Sequence, residues 1–371
     1  MLFGDDVKPV LIGIAKLAQQ GPVLEEKARV RYAELPTRNY LTRCSGERVP
    51  FHWTINPYRG CEFGCKYCYA RYTHEFMELR ESEQFENQIF AKEWRPLAFA
   101  KELRRVPRGQ HIAIGTATDP YQPAERRYGI TRRMLNLLSS ESGLRVSITT
   151  KSDLIARDAE LLALLAKRHI LYVHMTVTTL DAGLARLLEP RAPRPDLRLG
   201  AVKALSDLGV HVGVFSSPVL PGLNDQQESL DRIASEAKRH GAVSFGASPV
   251  FLKPCAAKVF LPFLDREFPH LAADYQRAFG KAAFLAEGYK SELSRRVASA
   301  RESAGLERRA LEYVPEEWGF QAQRSLFADD DVLPVPGSLK ALDVWDSATA
   351  SARSGAARPS TAEPLPLAPK C

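Results

Sequence analysis

The sequence lacks the features of a membrane-inserted or exported chain. No stretch reaches the roughly 18 consecutive apolar residues that a membrane-spanning helix needs. Met1–Val7 contains two aspartates and no positively charged segment of the kind that begins a secretory signal. We therefore expect a soluble, cytoplasmic protein that makes no contact with a membrane. The sequence also has no internal repeat, which excludes a repeat architecture.

Cysteine is scarce, and its distribution excludes a secreted disulfide framework. Only six cysteines occur in 371 residues, yet Cys61, Cys65 and Cys68 fall within eight residues of one another. A disulfide framework would spread its pairs along the chain. The cluster instead favours a metal or redox site in a reducing compartment.

The charge of the chain is not extreme. The net charge of +7 is a modest basic excess, compatible with an anionic substrate such as nucleic acid.

The chain has enough apolar residues, 45%, to build a sizeable core. Short apolar runs alternate with amphipathic helical segments. The runs predict strands at Trp53–Tyr58, His111–Thr116, Arg145–Thr150, Leu171–Thr178, His211–Ser216 and Val243–Ser248. Because a crossover segment follows each strand, we expect an α/β fold with a parallel sheet and right-handed connections.

Small polar or charged residues end the strands from the second onward. These residues are Thr116, Thr118, Asp119, Thr149, Thr150, Lys151, Ser152, Thr176, Thr178, Ser216, Ser217 and Ser248. The carboxyl ends of parallel strands lie on one face, where active sites of α/β folds are built. Turns also use Ser and Thr, so a ligand-binding rim and ordinary turn chemistry both remain open at this point.

The cysteine cluster follows the first predicted strand. Cys61, Cys65 and Cys68 are separated by three and then two residues, and Gly60 and Gly64 allow the loop to curl so that the sulfurs converge. Three thiolates can bind three irons of a 4Fe-4S cluster and leave the fourth iron open for a substrate or cofactor. An electron-transfer ferredoxin would normally supply a fourth cysteine, so the pattern favours chemistry over electron transport.

This pattern, with Tyr67 before the third cysteine, resembles the radical S-adenosylmethionine (radical SAM) enzymes. The segments 118–123, 150–152 and 189–193 are similar to the branch related to spore photoproduct lyase. The resemblance implies a partial (β/α)6 TIM-type barrel and two cofactors, a 4Fe-4S cluster and S-adenosylmethionine. It also implies an external electron donor of flavodoxin or ferredoxin type. S-adenosylmethionine would be cleaved to a 5′-deoxyadenosyl radical that takes hydrogen from the substrate, for which nucleic acid in a lyase-like reaction is one candidate.

The resemblance also implies roles for single residues beyond the cluster ligands Cys61, Cys65 and Cys68. Tyr67 and Tyr69 should flank the adenosine, and Thr118 should contact the cofactor through its hydroxyl. Lys151 should pair with the methionine carboxylate, which suits a compact ammonium group at a strand end. Thr176 is a candidate for the ribose or the amino-acid end of S-adenosylmethionine.

One position departs from the lyase pattern. Spore photoproduct lyase returns a hydrogen atom to its product from a cysteine, and Thr116 occupies that position here. A threonine O–H bond is too strong for this step, which argues against repair of the spore photoproduct by the same route. Cys255, just beyond the sixth predicted strand, is a candidate replacement donor, although a small buried thiol can equally be a packing residue.

Two other interpretations of the cysteines are open at the level of the sequence. A non-catalytic protein could hold structural zinc with the three cysteines and a fourth ligand from His52, His74 or Cys44, although closed zinc sites usually pair two separated cysteine knuckles. A dithiol oxidoreductase could use Cys65 and Cys68, but this interpretation leaves Cys61 unexplained.

The chain is predicted to divide into four parts. Residues 1–50 form an N-terminal extension of loops and one helix, 51–265 the barrel, 266–328 a helical C-terminal addition and 329–371 a disordered tail. The tail prediction follows from composition, because 18 of the 25 residues 347–371 are Ala, Pro, Ser, Thr or Gly and none is aromatic.

Overall fold

The computed structural model describes residues 11–26, 29–46, 49–280, 282–309 and 312–318. The strands are β1 (Val23–Glu26), β2 (Arg31–Leu35), β3 (Leu41–Arg43), β4 (Trp53–Ile55), β5 (Tyr58–Arg59), β6 (Gln88–Lys92), β7 (His111–Ile114), β8 (Arg145–Thr150), β9 (Ile170–Thr176), β10 (Val212–Val219) and β11 (Ser244–Pro249). The helices are α1 (Gly13–Gln20), α2 (Tyr72–Glu75), α3 (Gln84–Asn87), α4 (Pro96–Leu103), α5 (Pro123–Tyr128), α6 (Ile130–Leu138), α7 (Ala159–Arg168), α8 (Ala182–Leu188), α9 (Pro195–Ser206), α10 (Gln227–Arg239), α11 (Pro254–Glu267), α12 (Pro269–Phe279) and α13 (Glu287–Ser303). Short 3-10 helices lie at Tyr69–Arg71 and Asp153–Asp158.

Six parallel strands form the main sheet in the order β4, β7, β8, β9, β10, β11, and β3 adds an antiparallel strand beside β4. This order confirms the predicted partial (β/α)6 barrel. The first strand is shorter than predicted and ends at Ile55, because Pro57 has no N–H to donate to a ladder. The chain then joins a different sheet through Tyr58–Arg59.

The two faces of the main sheet differ in burial. On β9, Leu171, Val173 and Met175 are fully buried in the hydrophobic core that includes the helices. Tyr172 and His174, which alternate with them, are only partly buried. Side chains along a strand point alternately to opposite faces, so the second face, toward the barrel interior, is less completely buried than the first.

The N-terminal extension is more regular than predicted. The sequence predicts loops and one helix there, whereas the structure has helix α1 and three strands within residues 11–26 and 29–46. Strand β2 pairs in parallel with β6 from the barrel region, and the second sheet has the order β1, β2, β6, β5. A five-residue strand whose partner lies far along the chain leaves little signal of its own.

The C-terminal addition is helical in its described part, where α12 and α13 follow the barrel. The predicted limit at residue 265 falls inside α11, so this helix continues across it. The predicted disordered tail, 329–371, lies outside the described residues. Over the described ranges, every helix is too short or too polar to cross a membrane.

Candidate active site

The three cysteines lie in one loop between β5 and the 3-10 helix at Tyr69–Arg71. Gly60 and Gly64 adopt positive φ angles of 80° and 67°, which glycine accepts without strain. A Cβ atom at Gly60 would also come within 2.8 Å of the Gln88 carbonyl oxygen. Glycine is therefore required for the curl of this loop.

Backbone hydrogen bonds from neighbouring segments hold the loop. The Cys61 N–H donates to the Phe85 carbonyl at 2.9 Å, and the Lys66 N–H donates to the Leu188 carbonyl at 2.9 Å. The Cys65 carbonyl accepts a hydrogen bond of 2.9 Å from the Arg71 guanidinium, which also pairs with Glu86. These contacts fix the loop from both sides and so preset the positions of its sulfurs.

All three cysteines are free thiols, of which Cys61 and Cys65 are buried and Cys68 is partly buried. Burial raises the pKa of Cys61 well above its usual range and that of Cys65 to about 12. Burial also raises the pKa of Cys68, while Arg71 and Lys151 act in the opposite direction. Cations beside buried thiols offset the negative charge of a thiolate-bound metal group, so this donor set fits an iron–sulfur cluster.

The geometry does not support the two alternative interpretations. Within the described residues, no three His, Cys, Asp or Glu side chains are close enough to hold one metal ion. His74 Nε2 lies 3.0 Å from the Gln88 carbonyl, and His52 Nδ1 accepts a hydrogen bond from the His111 N–H. A reactive dithiol needs a lowered thiol pKa, whereas burial raises those of Cys65 and Cys68.

A buried charge network lies beside the loop. The Tyr67 hydroxyl donates to the carboxylate of Glu189, which also accepts a hydrogen bond of 2.6 Å from Thr178. Arg198 binds the other Glu189 oxygen at 2.5 Å, with both side chains at most 1% exposed. Burial opposes ionisation, but Arg198 and Lys151 outweigh it and lower the pKa of Glu189 to about 2. Tyr67 is thus held by a carboxylate that stays ionised.

Lys151 extends from the end of β8 toward this network. Its Nζ lies 5.7 Å from the centroid of the Tyr67 ring. Burial would lower the pKa of Lys151, but Glu189 and Cys65 raise it above its usual value, so the side chain stays cationic. Asp119 fixes the strand end by accepting hydrogen bonds from the Thr150 hydroxyl at 2.7 Å and the Lys151 N–H at 2.8 Å.

The second strand end is also tied to the loop. The Thr118 hydroxyl donates to the Gly60 carbonyl at 2.5 Å, and the Gln122 amide donates to the same carbonyl at 2.9 Å. The Tyr69 hydroxyl donates to the Thr116 carbonyl. These contacts bring Tyr67, Tyr69, Thr118 and Lys151 around the cysteine loop, and their cofactor roles stay predictions.

Thr176 and Cys255 are placed differently. Thr176 is buried, and its carbonyl accepts a hydrogen bond of 3.1 Å from Arg198, so the buried network reaches the end of β9. Cys255 lies at the start of α11, with its Sγ 3.9 Å from the Tyr69 carbonyl. It lines a small cleft with Arg71 and Glu75 rather than with the strand ends. Its role as a hydrogen donor remains a prediction.

Comparison with known protein families matches residues 55–233 to the radical SAM superfamily. The chain belongs to this superfamily. It is accordingly a radical SAM enzyme, and its cofactors are a 4Fe-4S cluster and S-adenosylmethionine. An uncharacterized protein of Mycobacterium tuberculosis H37Rv is 34% identical over 251 residues, which cover 67% of this chain and 74% of that relative. An uncharacterized protein of Methanocaldococcus jannaschii is 28% identical over a match that covers 62% of this chain and 81% of that relative.

Solved structures of spore photoproduct lyase share the radical SAM fold of this chain. The lyase complexed with dinucleoside spore photoproduct has a TM-score of 0.56 at 14% identity, covering 73% of this chain and 79% of that chain. A double mutant of the lyase with bound AdoMet and the same dinucleoside has a TM-score of 0.53, again covering 73% of this chain and 79% of that chain. The predicted resemblance to this lyase is confirmed at the level of the fold.

The side chains that hold the site in place carry no distinctive signal in the sequence. The sequence predicts Glu189 only as part of the segment 189–193, and it predicts no role for Arg198. Arg71 and Gln122, which bind the carbonyls of Cys65 and Gly60, were not predicted either. The one available signal was the polarity of these residues next to buried segments, and polarity alone does not distinguish an inward from an outward side chain.

Proposed function

We propose that this radical SAM enzyme acts on nucleic acid in a lyase-like or modifying reaction and that Cys61, Cys65 and Cys68 hold its cluster. The observation that carries the proposal is that one short loop holds three free thiols, two of them buried and the third partly buried, beside Lys151 and Arg71. When bound, the cluster and S-adenosylmethionine supply a one-electron cleavage whose outcome is removal of a hydrogen atom from the substrate.

The chain's own residues position these groups. Lys151 remains cationic in a buried site and so binds the carboxylate of S-adenosylmethionine through a charge-assisted hydrogen bond. Tyr67, fixed by Glu189, forms a rigid wall of the cofactor site. Thr118 and Tyr69 hold the loop against the second strand end, and Thr176 extends the site toward β9. An external flavodoxin or ferredoxin supplies the electron.

Nucleic acid is the proposed substrate class on two grounds. The net charge of +7 favours a polyanionic ligand, and a lyase of the same fold has been solved with a dinucleoside photoproduct. Thr116 in place of a hydrogen-donating cysteine argues for a reaction other than repair of the spore photoproduct. Cys255 is the candidate donor within this chain.

Anaerobic reconstitution tests the proposal. We expect a brown protein with about four irons per chain, and cleavage of S-adenosylmethionine when dithionite is added. Replacing Cys61, Cys65 or Cys68 by alanine should remove the iron, while Cys255→Ala should retain it. Single-stranded DNA or RNA should change the cleavage rate. A colourless protein with one zinc would refute the cluster, and a rate indifferent to every nucleic acid would refute the substrate class.

A further inference from the structure

A row of aromatic rings leads from the cysteine loop to the surface. Tyr69, directly after Cys68, packs on Phe251 with ring centroids 5.0 Å apart. Phe251 stacks on Phe284 with centroids 5.7 Å apart and planes inclined by 21°. Phe284 belongs to the C-terminal addition and is 56% exposed. We call Tyr69, Phe251 and Phe284 the aromatic row. Its inner end touches the cysteine loop, and its outer ring faces solvent.

The backbone explains how the row is held. Phe251 and Phe284 form an antiparallel β-bridge, and the Leu252 N–H donates to the Ala283 carbonyl at 2.9 Å. Leu252 is buried, so its neighbours Phe251 and Lys253 both project to the opposite side. Phe284 therefore keeps its position through backbone pairing and not through burial of its ring.

Positive charge lies beside the row. Lys253 Nζ lies 3.7 Å from the centroid of the Tyr72 ring, and Arg59 acts electrostatically on the same tyrosine. Among residues with described positions, no carboxylate is within ion-pair distance of either cation, and Glu75 acts on Lys253 only from farther away. The Arg59 Nε also has no hydrogen-bond partner. We call Arg59 and Lys253 the basic pair.

We propose that the aromatic row and the basic pair form a binding site for single-stranded nucleic acid, which rests on the function proposed above. A nucleobase packs against the exposed part of the Phe284 ring, beside Lys290, whose Nζ lies 5.8 Å from the centroid of that ring. The basic pair binds the phosphate backbone. Exposed rings next to unneutralised cations are the combination that single-strand binding proteins use, because each unpaired base has a face for stacking and each phosphate needs a counter-charge. Bases inside a duplex lack a free face, so a single strand is required.

Binding of fluorescently labelled DNA and RNA single strands to the anaerobically reconstituted enzyme tests the site by anisotropy. Phe284→Leu keeps an apolar side chain but loses the ring, and we expect the Kd to rise about 5- to 150-fold. Phe284→Tyr keeps the ring and should stay within about 2-fold of wild type. Leu97→Ala, at an apolar side chain that is 86% exposed and has no place in the row, is the matched control and should bind as wild type does.

The salt dependence separates the two parts of the site. Lys253→Gln should lower the slope of log Kd against log salt by about 0.7, the value for one phosphate contact on a single strand, while Phe284→Leu leaves the slope unchanged. Circular dichroism confirms that each variant is folded.

The outcomes distinguish this inference from the proposed function. If wild-type enzyme binds single strands and they change its cleavage rate, but Phe284→Leu keeps the wild-type Kd, the site proposed here is wrong and the substrate class stands. If no nucleic acid binds or alters the rate, both are wrong. Binding of unrelated peptides with the same dependence on Phe284 would show a protein-binding surface and overturn the inference.

Discussion

Removal of Arg198 is expected to destabilise the protein far more than removal of an ordinary arginine. Arg198 is 1% exposed and binds Glu189 at 2.5 Å, the Thr176 carbonyl at 3.1 Å and the Pro193 carbonyl at 2.8 Å. Arg198→Met keeps much of the side-chain volume but leaves Glu189 as a buried carboxylate without its main partner. Breaking one side of such a pair costs about 3–5 kcal/mol.

The matched control lies in the same region of the chain. Arg194 is 61% exposed and pairs with an equally exposed Asp196 at 2.7 Å. Exposed ion pairs contribute about 0–1 kcal/mol, so Arg194→Met should change the free energy of unfolding little. The double variant Glu189→Gln with Arg198→Met removes the unpaired charge and should recover part of the loss.

Urea unfolding of the wild type, the two single variants and the double variant is followed by circular dichroism. The midpoint and slope of each transition give the free energy of unfolding. S-adenosylmethionine binding to the reconstituted variants provides a second readout, because Tyr67 shares the Glu189 carboxylate. Unfolding of Arg198→Met and Arg194→Met at the same urea concentration would refute the proposed importance of the buried Glu189–Arg198 pair. It is also refuted if the double variant is less stable than Arg198→Met alone.

Three further predictions concern the site and the core. Lys151→Met should weaken S-adenosylmethionine binding about 10- to 150-fold by removing a charge-assisted hydrogen bond, measured by equilibrium binding; unchanged affinity would exclude the carboxylate contact. Cys255→Ala should retain cofactor cleavage and lose substrate turnover if Cys255 donates hydrogen, whereas unchanged turnover would exclude that role. His169 is fully buried, and burial lowers its pKa from 6.5 to about 4. Between pH 6.5 and 4 the imidazole of His169 is therefore protonated in the unfolded state but neutral in the folded state. The free energy of unfolding is highest above pH 6.5 and decreases as the pH falls toward 4. Between pH 7 and 5 this loss should be on the order of 2 kcal/mol, and it should be smaller in His169→Gln in urea titrations.

The barrel strands are predictable because their signal is local. Ile170–Thr176 combines apolar and β-branched residues in a run bounded by helical segments, and such a run specifies a buried strand without knowledge of its partners. Arg31–Leu35 carries two charged residues in five positions and becomes a strand only through pairing with Gln88–Lys92. A prediction from one segment at a time does not include that partner.

The residues of the candidate site also separate into those that the local sequence predicts and those that depend on tertiary packing. The cysteines and Lys151 are predictable because loop spacing and a strand end fix their positions. The arginine that pairs with Glu189 is not predictable from the sequence, because Arg191, Arg194 and Arg198 all lie close to Glu189 along the chain. Their exposures of 37%, 61% and 1% depend on how α9 packs and not on residue type. Tertiary packing therefore selects which arginine becomes part of the site.

The pairing at the two ends of the main sheet has a practical consequence for handling the protein. Strand β3 covers one outer strand, and on the other side the Phe245 N–H donates to the Glu307 carbonyl at 3.0 Å while the Glu307 N–H donates to the Val243 carbonyl at 3.2 Å. Uncovered outer strands recruit strands from other molecules and promote aggregation. A recombinant version that ends before Glu307 would uncover β11 at this point, so a soluble shortened protein should retain Glu307.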